Sequence, residues 1–331
     1  MCGSRTPEGR TVTGGVRELA PGYHVIHTSF AAVPLHLPIL TGEGLVLIDA
    51  GAAETPDAAV FSAIADLGRD PAEVRMVALT HAHHDHFGGV SNLKRRSPRL
   101  RVAVHRADVT WVEDHDRYWR ELFGRFEPEY TPSEEERAVV LDQAGEPTVV
   151  QHVLDYHDEL DTCGAGPLKV LPAGSHSAGS VAYYQKDHGV LATGDALQAY
   201  GTPLLDGTEA FPIYENIAAY RSMLTQFCDV DIQWLVDAHR GVLSDDEARE
   251  LLLACERFPD TFTEQLLETL TAVGEPMPLT EIAHAVQSAH YPRANRSIQL
   301  YVTTDLHLRE LVRQQLLEPL RINARKHWAV V

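Results

Sequence analysis

The densest chemistry in the chain lies between Thr80 and Gly89, where His81, His83, His84, Asp85 and His86 share one short loop. In an extended segment residues two apart point the same way, so His81 and His83 can grip one cation. A turn after His83 then redirects Asp85 and His86 toward a second position. Neutral imidazole and carboxylate suit zinc or a similar first-row ion. A single H-x-H would read as a surface coincidence, but H-x-H-x-D-H between an apolar run and Gly88-Gly89 does not. His84 fills the spacer position and is expected to face away from the ions or to pack.

Three further polar residues follow short apolar runs in the same manner. His176 sits in the Gly-rich turn 172–180, Asp195 follows Gly194, and His239 precedes Arg240 and Gly241. Each alone would be an ordinary turn residue. Together they supply what the loop lacks for two ions: a third ligand apiece and a shared carboxylate. His105, His115, His152, His157 and His188 stand in no motif.

The elements that must carry these residues are legible from apolar patterning. The run 45–48, ending in Asp49 and stopped by Gly51, reads as a buried strand. Residues 55–67 carry Val60, Ile64 and Leu67 at helical spacing, closed by Gly68. A second buried strand, 74–80, runs directly into the histidine loop, and a third covers 100–105. Residues 107–136 read as a helical insertion with an aromatic face of Trp111, Tyr118, Trp119, Phe123 and Phe126. Strands return at 168–171, 180–185, 189–193 and 234–237. Between the last two, Ile217, Tyr220, Leu224 and Phe227 mark one face of an amphipathic helix. Ser244 caps a helix expected to end near Phe258.

Interleaved strands and helices, with several strands only a few residues apart, suit an α/β sandwich of mixed sheets better than a doubly wound parallel sheet. The expected organisation is a polar tail (1–19), a catalytic domain (20–258) and a small C-terminal domain (259–331). That last part reads as three helices and a hairpin turning at Asn323–Lys326, the outline of a winged helix.

Composition narrows the partners. The chain has 331 residues, 28 Lys+Arg against 47 Asp+Glu, and a formal charge of −19. Affinity for nucleic acid rests on neutralising phosphates with Lys and Arg, so this acidity argues against it. From Tyr291 onward the balance reverses, with seven basic residues against three acidic. Four cysteines without C-x-x-C spacing suggest neither a disulfide framework nor a thiolate metal site. Eighteen histidines are the unusual count. The N-terminus lacks the apolar core of a secretory signal, and no apolar run is long enough to span a bilayer. The expectation is a cytoplasmic protein with a small-molecule acyl substrate and no membrane partner, for which a homodimer is one open assembly.

The ordered blocks around Asp49, His81–His86, His176, Asp195 and His239 resemble the metallo-β-lactamase superfamily across residues 20–245. The resemblance implies an αββα sandwich with two metals at one edge. It implies that His81, His83 and His176 hold the first ion, that Asp85, His86 and His239 hold the second, and that Asp195 bridges them. Asp49 then orients the histidine loop. Two zinc ions are expected, with manganese or iron possible, and the metal-bridging hydroxide is the nucleophile, oriented or relieved of its proton by Asp85.

Within that family the bridging Asp195 disfavours antibiotic hydrolysis. The expected activity is hydrolysis of a small ester, thioester or lactone, with Tyr200 and Tyr214 as substrate contacts and the 107–136 insertion as a roof. The C-terminal block resembles the tail of the β-lactamase-like 2 subgroup, which keeps an endoribonuclease-like phosphodiesterase as one alternative. An iron-dependent sulfur-oxygenating enzyme is the other.

Overall fold

The computed structural model describes residues 15–199 and 201–331. Among them, one sheet carries seven strands in chain order: β1 (Gly15–Ala20), β2 (Tyr23–Phe30), β3 (Val33–Thr41), β4 (Leu45–Ile48), β5 (Val74–Ala78), β6 (Arg101–His105) and β7 (His152–Leu154). Pairing is antiparallel from β1 to β4 and parallel from β4 to β7. The second sheet is built from β8 (Glu159–Leu160), β9 (Leu168–Pro172), β10 (Val181–Gln185) and β11 (Val190–Gly194). A separate ribbon, β12 (Thr202–Pro203) with β13 (Glu209–Ala210), interrupts it in sequence before β14 (Trp234–Asp237) and β15 (Gly241–Ser244). Its spatial order is β15-β14-β11-β10-β9-β8, with β11 and β14 parallel.

Alternation along the strands divides the apolar residues among three layers. Val46, Ile48, Met76 and Ala78 meet Val181, Tyr183, Val190 and Val236 between the two sheets. Leu45, Leu47, Val74 and Val77 point the other way, under α1 (Phe61–Asp66), α2 (His84–Phe87) and α3 (Val90–Arg96). Ala182, Tyr184, Leu191 and Leu235 face outward beneath α7 (Ile217–Cys228) and α8 (Asp245–Val273). The result is the expected αββα sandwich.

The insertion forms α4 (Val109–Glu113), α5 (His115–Leu122) and α6 (Glu134–Ala144), so its helical part runs beyond residue 136. Past α8 come β16 (Met277–Pro278), α9 (Leu279–His290), α10 (Ile298–Arg313), β17 (Leu317–Ile322) and β18 (Arg325–Val330). Asn323 and Ala324 take positive φ of 48° and 65° in the tight turn between the last two strands. Among the described residues no helix is long and apolar enough to cross a membrane.

Two expected boundaries differ. Residues 15–19, read as tail, form most of β1 at the sheet edge; residues 1–14 lie outside the described set. The break expected at 258/259 falls inside α8, which runs through Pro259. An interior proline costs a helix about 3 kcal/mol. Here Phe258 and Phe262 flank it, both buried with rings 5.8 Å apart, and each such side chain contributes about 1.5–3 kcal/mol by burial. The aromatic pair outweighs the lost hydrogen bond. The same apolar cluster continues from Leu235 through α8 to Leu308 and Trp328, joining the C-terminal elements to the sandwich without a seam.

Candidate metal centre

The histidine loop emerges where β4 and β5 end side by side. Asp49 closes β4 with a positive φ of 63° and is 2% exposed. Its carboxylate accepts from the Thr80 amide at 2.7 Å and the Thr80 hydroxyl at 2.8 Å, tying the two strand ends together. Gly88 and Gly89 are needed on the way out. A Cβ at Gly88 would fall 2.1 Å from the Gln143 carbonyl, and one at Gly89 2.3 Å from that of Ala50. The second sheet delivers Asp195 and His239 in the same way, just past the carboxyl ends of its parallel pair β11 and β14.

Seven side chains converge into two groups, each with one candidate ligand atom per residue within 4.8 Å of the others: His81, His83 and His176; and Asp85, His86, Asp195 and His239. Tetrahedral zinc with arms of about 2.0–2.1 Å sets its ligands about 3.3–3.4 Å apart. The contacts here straddle that value. His86 Nε2 lies 3.3 Å from Asp195 and 3.6 Å from Asp85, while His239 Nε2 lies 3.1 Å from Asp195 and 3.4 Å from Asp85. Asp195 also reaches to 3.7 Å from His176, so it lies between the groups.

Hydrogen bonding on the far side of each ring sharpens the fit. His86 Nδ1 donates to Asp49 at 2.9 Å, His176 Nδ1 to the Ile213 carbonyl at 3.0 Å, and His239 Nδ1 to the Pro34 carbonyl at 2.7 Å. Thr80 spends its proton on Asp49 and accepts from His81 Nδ1 at 3.1 Å. Each of these rings, when neutral, turns an Nε2 lone pair inward. His81 Nε2 and His86 Nε2 are buried without a hydrogen-bond partner, as is Asp195 Oδ1. His176 Nε2 and His83 Nδ1 stand 3.0 Å apart. Imidazole nitrogens and carboxylates converging at such distances fit a cation between them.

The electrostatics agree. Burial pushes His81 and His83 well below the usual imidazole range, and neighbouring rings push the same way, leaving them neutral as ligation requires. Burial also opposes charge on His86 and His239. There Asp195 and Asp85 win, lifting His86 well above its usual value and His239 to about 10. Burial would raise Asp195, yet His239 and His86 hold it well below the usual carboxylate range. The second group is an anionic pocket neutralised by protons, which a divalent ion would displace.

The remaining expected site residues fare differently. His84 faces away, with Nδ1 2.9 Å from the Tyr118 hydroxyl. Tyr200 lies outside the described residues. Tyr214 is not brought to the metal groups: it is fully buried, its hydroxyl 2.6 Å from His307 Nε2 on α10 and its ring stacked on Tyr220. Its position, flanked by apolar residues after β13, suited the core. The insertion aromatics separate as well. Trp119 and Phe123 pack in the layer outside the first sheet, whereas Trp111 and Tyr118, of the same layer, also bring their rings to 6.3 Å from His83, with Trp111 Nε1 donating to Glu121 at 2.7 Å.

Sequence reasoning missed three supports. The Ile213 and Pro34 carbonyls orient His176 and His239 through backbone atoms that no side-chain pattern announces. Asp108 is 2% exposed and accepts from the Ala82 amide, between His81 and His83, and from the Ser177 hydroxyl, next to His176. Its signal was present: like Asp49 and Asp195, it follows the carboxyl end of a parallel strand.

Comparison with known proteins matches this geometry. Residues 39–254 carry the sequence pattern of the Metallo-beta-lactamase superfamily. The chain is 28% identical over 178 residues to the probable metallo-hydrolase YybB of Bacillus subtilis (strain 168), covering 52% of this chain and 68% of that protein. In fold it is similar to the metallo-beta-lactamase family protein TTHA1429 from Thermus thermophilus, at a TM-score of 0.75 and 19% identity over 95% of this chain and all of that one. A beta-lactamase domain protein from Burkholderia ambifaria aligns with a TM-score of 0.70 and 17% identity, covering 96% and 93%. Since the matched span holds both metal-capable groups and the strands that deliver them, the chain belongs to the metallo-beta-lactamase superfamily.

Proposed function

We propose that this metallo-hydrolase holds two zinc ions and cleaves a small ester, thioester or lactone. His81, His83 and His176 would hold the first ion and Asp85, His86 and His239 the second, with Asp195 available to both. The observation that carries this reading is the pair of buried groups meeting at Asp195, three neutral imidazoles on one side and an anionic set on the other. Bound there, a pair of divalent ions lowers the pKa of water toward neutrality and polarises a carbonyl.

The chain's own residues supply position and proton handling. Asp85 and Asp195 are the most open of the set, at 15% and 10% side-chain exposure, so substrate meets the centre on their side. Asp85, a carboxylate on the open side of the set, is placed to orient the attacking water or take up its proton. Trp111, fixed by Glu121 beside His83, offers an apolar wall to an acyl group.

The phosphodiesterase alternative leans on the basic tail. There Arg309 pairs with Asp305, Arg313 with Glu310 and Arg293 with Glu209, which leaves less charge for a phosphate backbone. The helices and three-stranded sheet after α8 fit a winged-helix-like module used here for packing.

The test is a panel of thioesters, aryl esters and lactones, run beside structured RNA, with zinc-reconstituted protein. Chelator-sensitive, zinc-restored turnover of an acyl substrate is expected. RNA cleavage with an inert acyl panel overturns the reading. So does metal analysis finding a single iron per chain together with oxygen-dependent turnover of a persulfide. His83→Ala should lower kcat/KM by ~10²-fold or more; full activity would refute the ligand assignment.

A further inference from the structure

Asp108 has no place in the ligand set, yet its surroundings are as constrained as those of Asp49. It sits three residues past β6, and its two oxygens take three hydrogen bonds. Oδ2 accepts from the Ala82 amide at 2.9 Å and the Ser177 hydroxyl at 2.6 Å, and Oδ1 accepts from the Gly179 amide at 2.8 Å. These donors belong to two loops far apart in sequence. Ala82 separates His81 from His83, while Ser177 and Gly179 follow His176. The approach is close enough that a Cβ on Gly179 would fall 2.5 Å from the carboxylate. Ser177 is held in turn, its amide donating to Ser180 at 2.8 Å.

Burying a carboxylate is costly, and burial does push Asp108 upward against the pull of its donors. Two backbone amides and a hydroxyl compensate only if their loops stay where they are. The converse also holds: a carboxylate accepting from both loops fixes the separation of the three imidazoles they carry. Asp49 serves His86 from its side of the site. Asp108 stands in the same relation to the loops of the other group.

We propose that Asp108 is a positioning residue for the first metal position, locking the His81–His83 loop to the His176 loop at the spacing one ion needs. The inference rests on the ligand assignment proposed above. It adds a residue whose loss acts on one ion and not on its neighbour.

The test uses full-length protein loaded with cobalt(II). Hyperfine-shifted imidazole N–H resonances report His81, His83 and His176 separately from His86 and His239, and competition with a chromophoric chelator gives the zinc affinity of each position. In Asp108→Asn one oxygen becomes a donor that must face an amide or hydroxyl donor. The expected result is a 10–100-fold weaker first position with the second unchanged. Ser177→Ala removes one of the three hydrogen bonds, leaves the backbone intact, and should weaken the same position by less; it decides the matter if Asp108→Asn does not fold. Unchanged affinity at the first position, or equal weakening at both, overturns the proposal. A wild-type protein without the three-imidazole signals would sink the ligand assignment first, and this inference with it.

Discussion

At the scale of single residues, the centre is organised by which nitrogen of each ring is already engaged. His86, His176 and His239 donate through Nδ1 to Asp49, Ile213 and Pro34, so only Nε2 is free to face inward. Asp195 lies within 3.7 Å of rings on both sides, the position a carboxylate shared by the two groups would take. Asp195→Asn keeps the shape and removes the shared charge. It should weaken binding of both ions and reduce kcat by ~10²-fold or more, measured by metal content and steady-state kinetics. Chelation should lower the thermal midpoint of the wild type, because it leaves lone pairs and carboxylates facing across a buried space. The midpoint of Asp195→Asn should respond less.

At the scale of elements, α10 braces the segment that orients one of the candidate ligands, His176. Thr303 donates to the Pro212 carbonyl at 2.6 Å, His307 meets Tyr214 at 2.6 Å, and Ile213 between them carries the carbonyl that orients His176. Gln198 braces the same residue by accepting from the Ile213 amide at 3.1 Å. Thr303→Val is nearly isosteric but leaves that carbonyl unpaired. It should cost about 1–3 kcal/mol of stability and loosen the first metal position, whereas Thr303→Ser should restore both in denaturation and zinc-competition measurements.

His307 gives α10 a pH signature. Burial pushes its imidazole down to about 3, against 6.5 when free, and Thr263 occupies its other nitrogen at 2.7 Å. Between those values the unfolded chain binds a proton that the folded one refuses. Its contribution is therefore whole above about pH 6.5 and drains as pH falls toward 3, by up to about 1.4 kcal/mol per pH unit. Stability of the wild type should fall more steeply than that of His307→Gln, by roughly 2 kcal/mol between pH 6.5 and 5. Parallel curves from urea denaturation would exclude this.

At the scale of the whole molecule, the C-terminal elements are part of the sandwich's outer layer. Helix α8 runs from Asp245 to Val273 without a break, and its apolar face is shared by α7, α9, α10 and Trp328. A chain cut after residue 258 would expose Phe258 and the outer face of α7. It should be insoluble or fail to unfold cooperatively, as judged by soluble yield and calorimetry. A stable, metal-binding fragment would restore the boundary that Pro259 suggests.

The convergence of the candidate ligands was legible in the sequence because metal chemistry needs particular atoms, and H-x-H-x-D-H at the end of a buried strand has few other uses. His176, Asp195 and His239 were legible because each follows an apolar run that can only be a strand, and strand ends are where a sheet offers side chains to a common edge. The layers were legible for a similar reason, since alternation along 45–48 and 74–78 leaves no other way to bury both faces. Tertiary structure alone decided what supports the site. The Ile213 carbonyl has no side-chain signature, Asp108 is one aspartate among many until two loops close on it, and Tyr214 turned inward because His307, 93 residues away, met its hydroxyl. Pro259 marks a boundary locally and is overruled by aromatic burial around it. Local patterns specify what a residue can do; long-range packing determines which partner it meets.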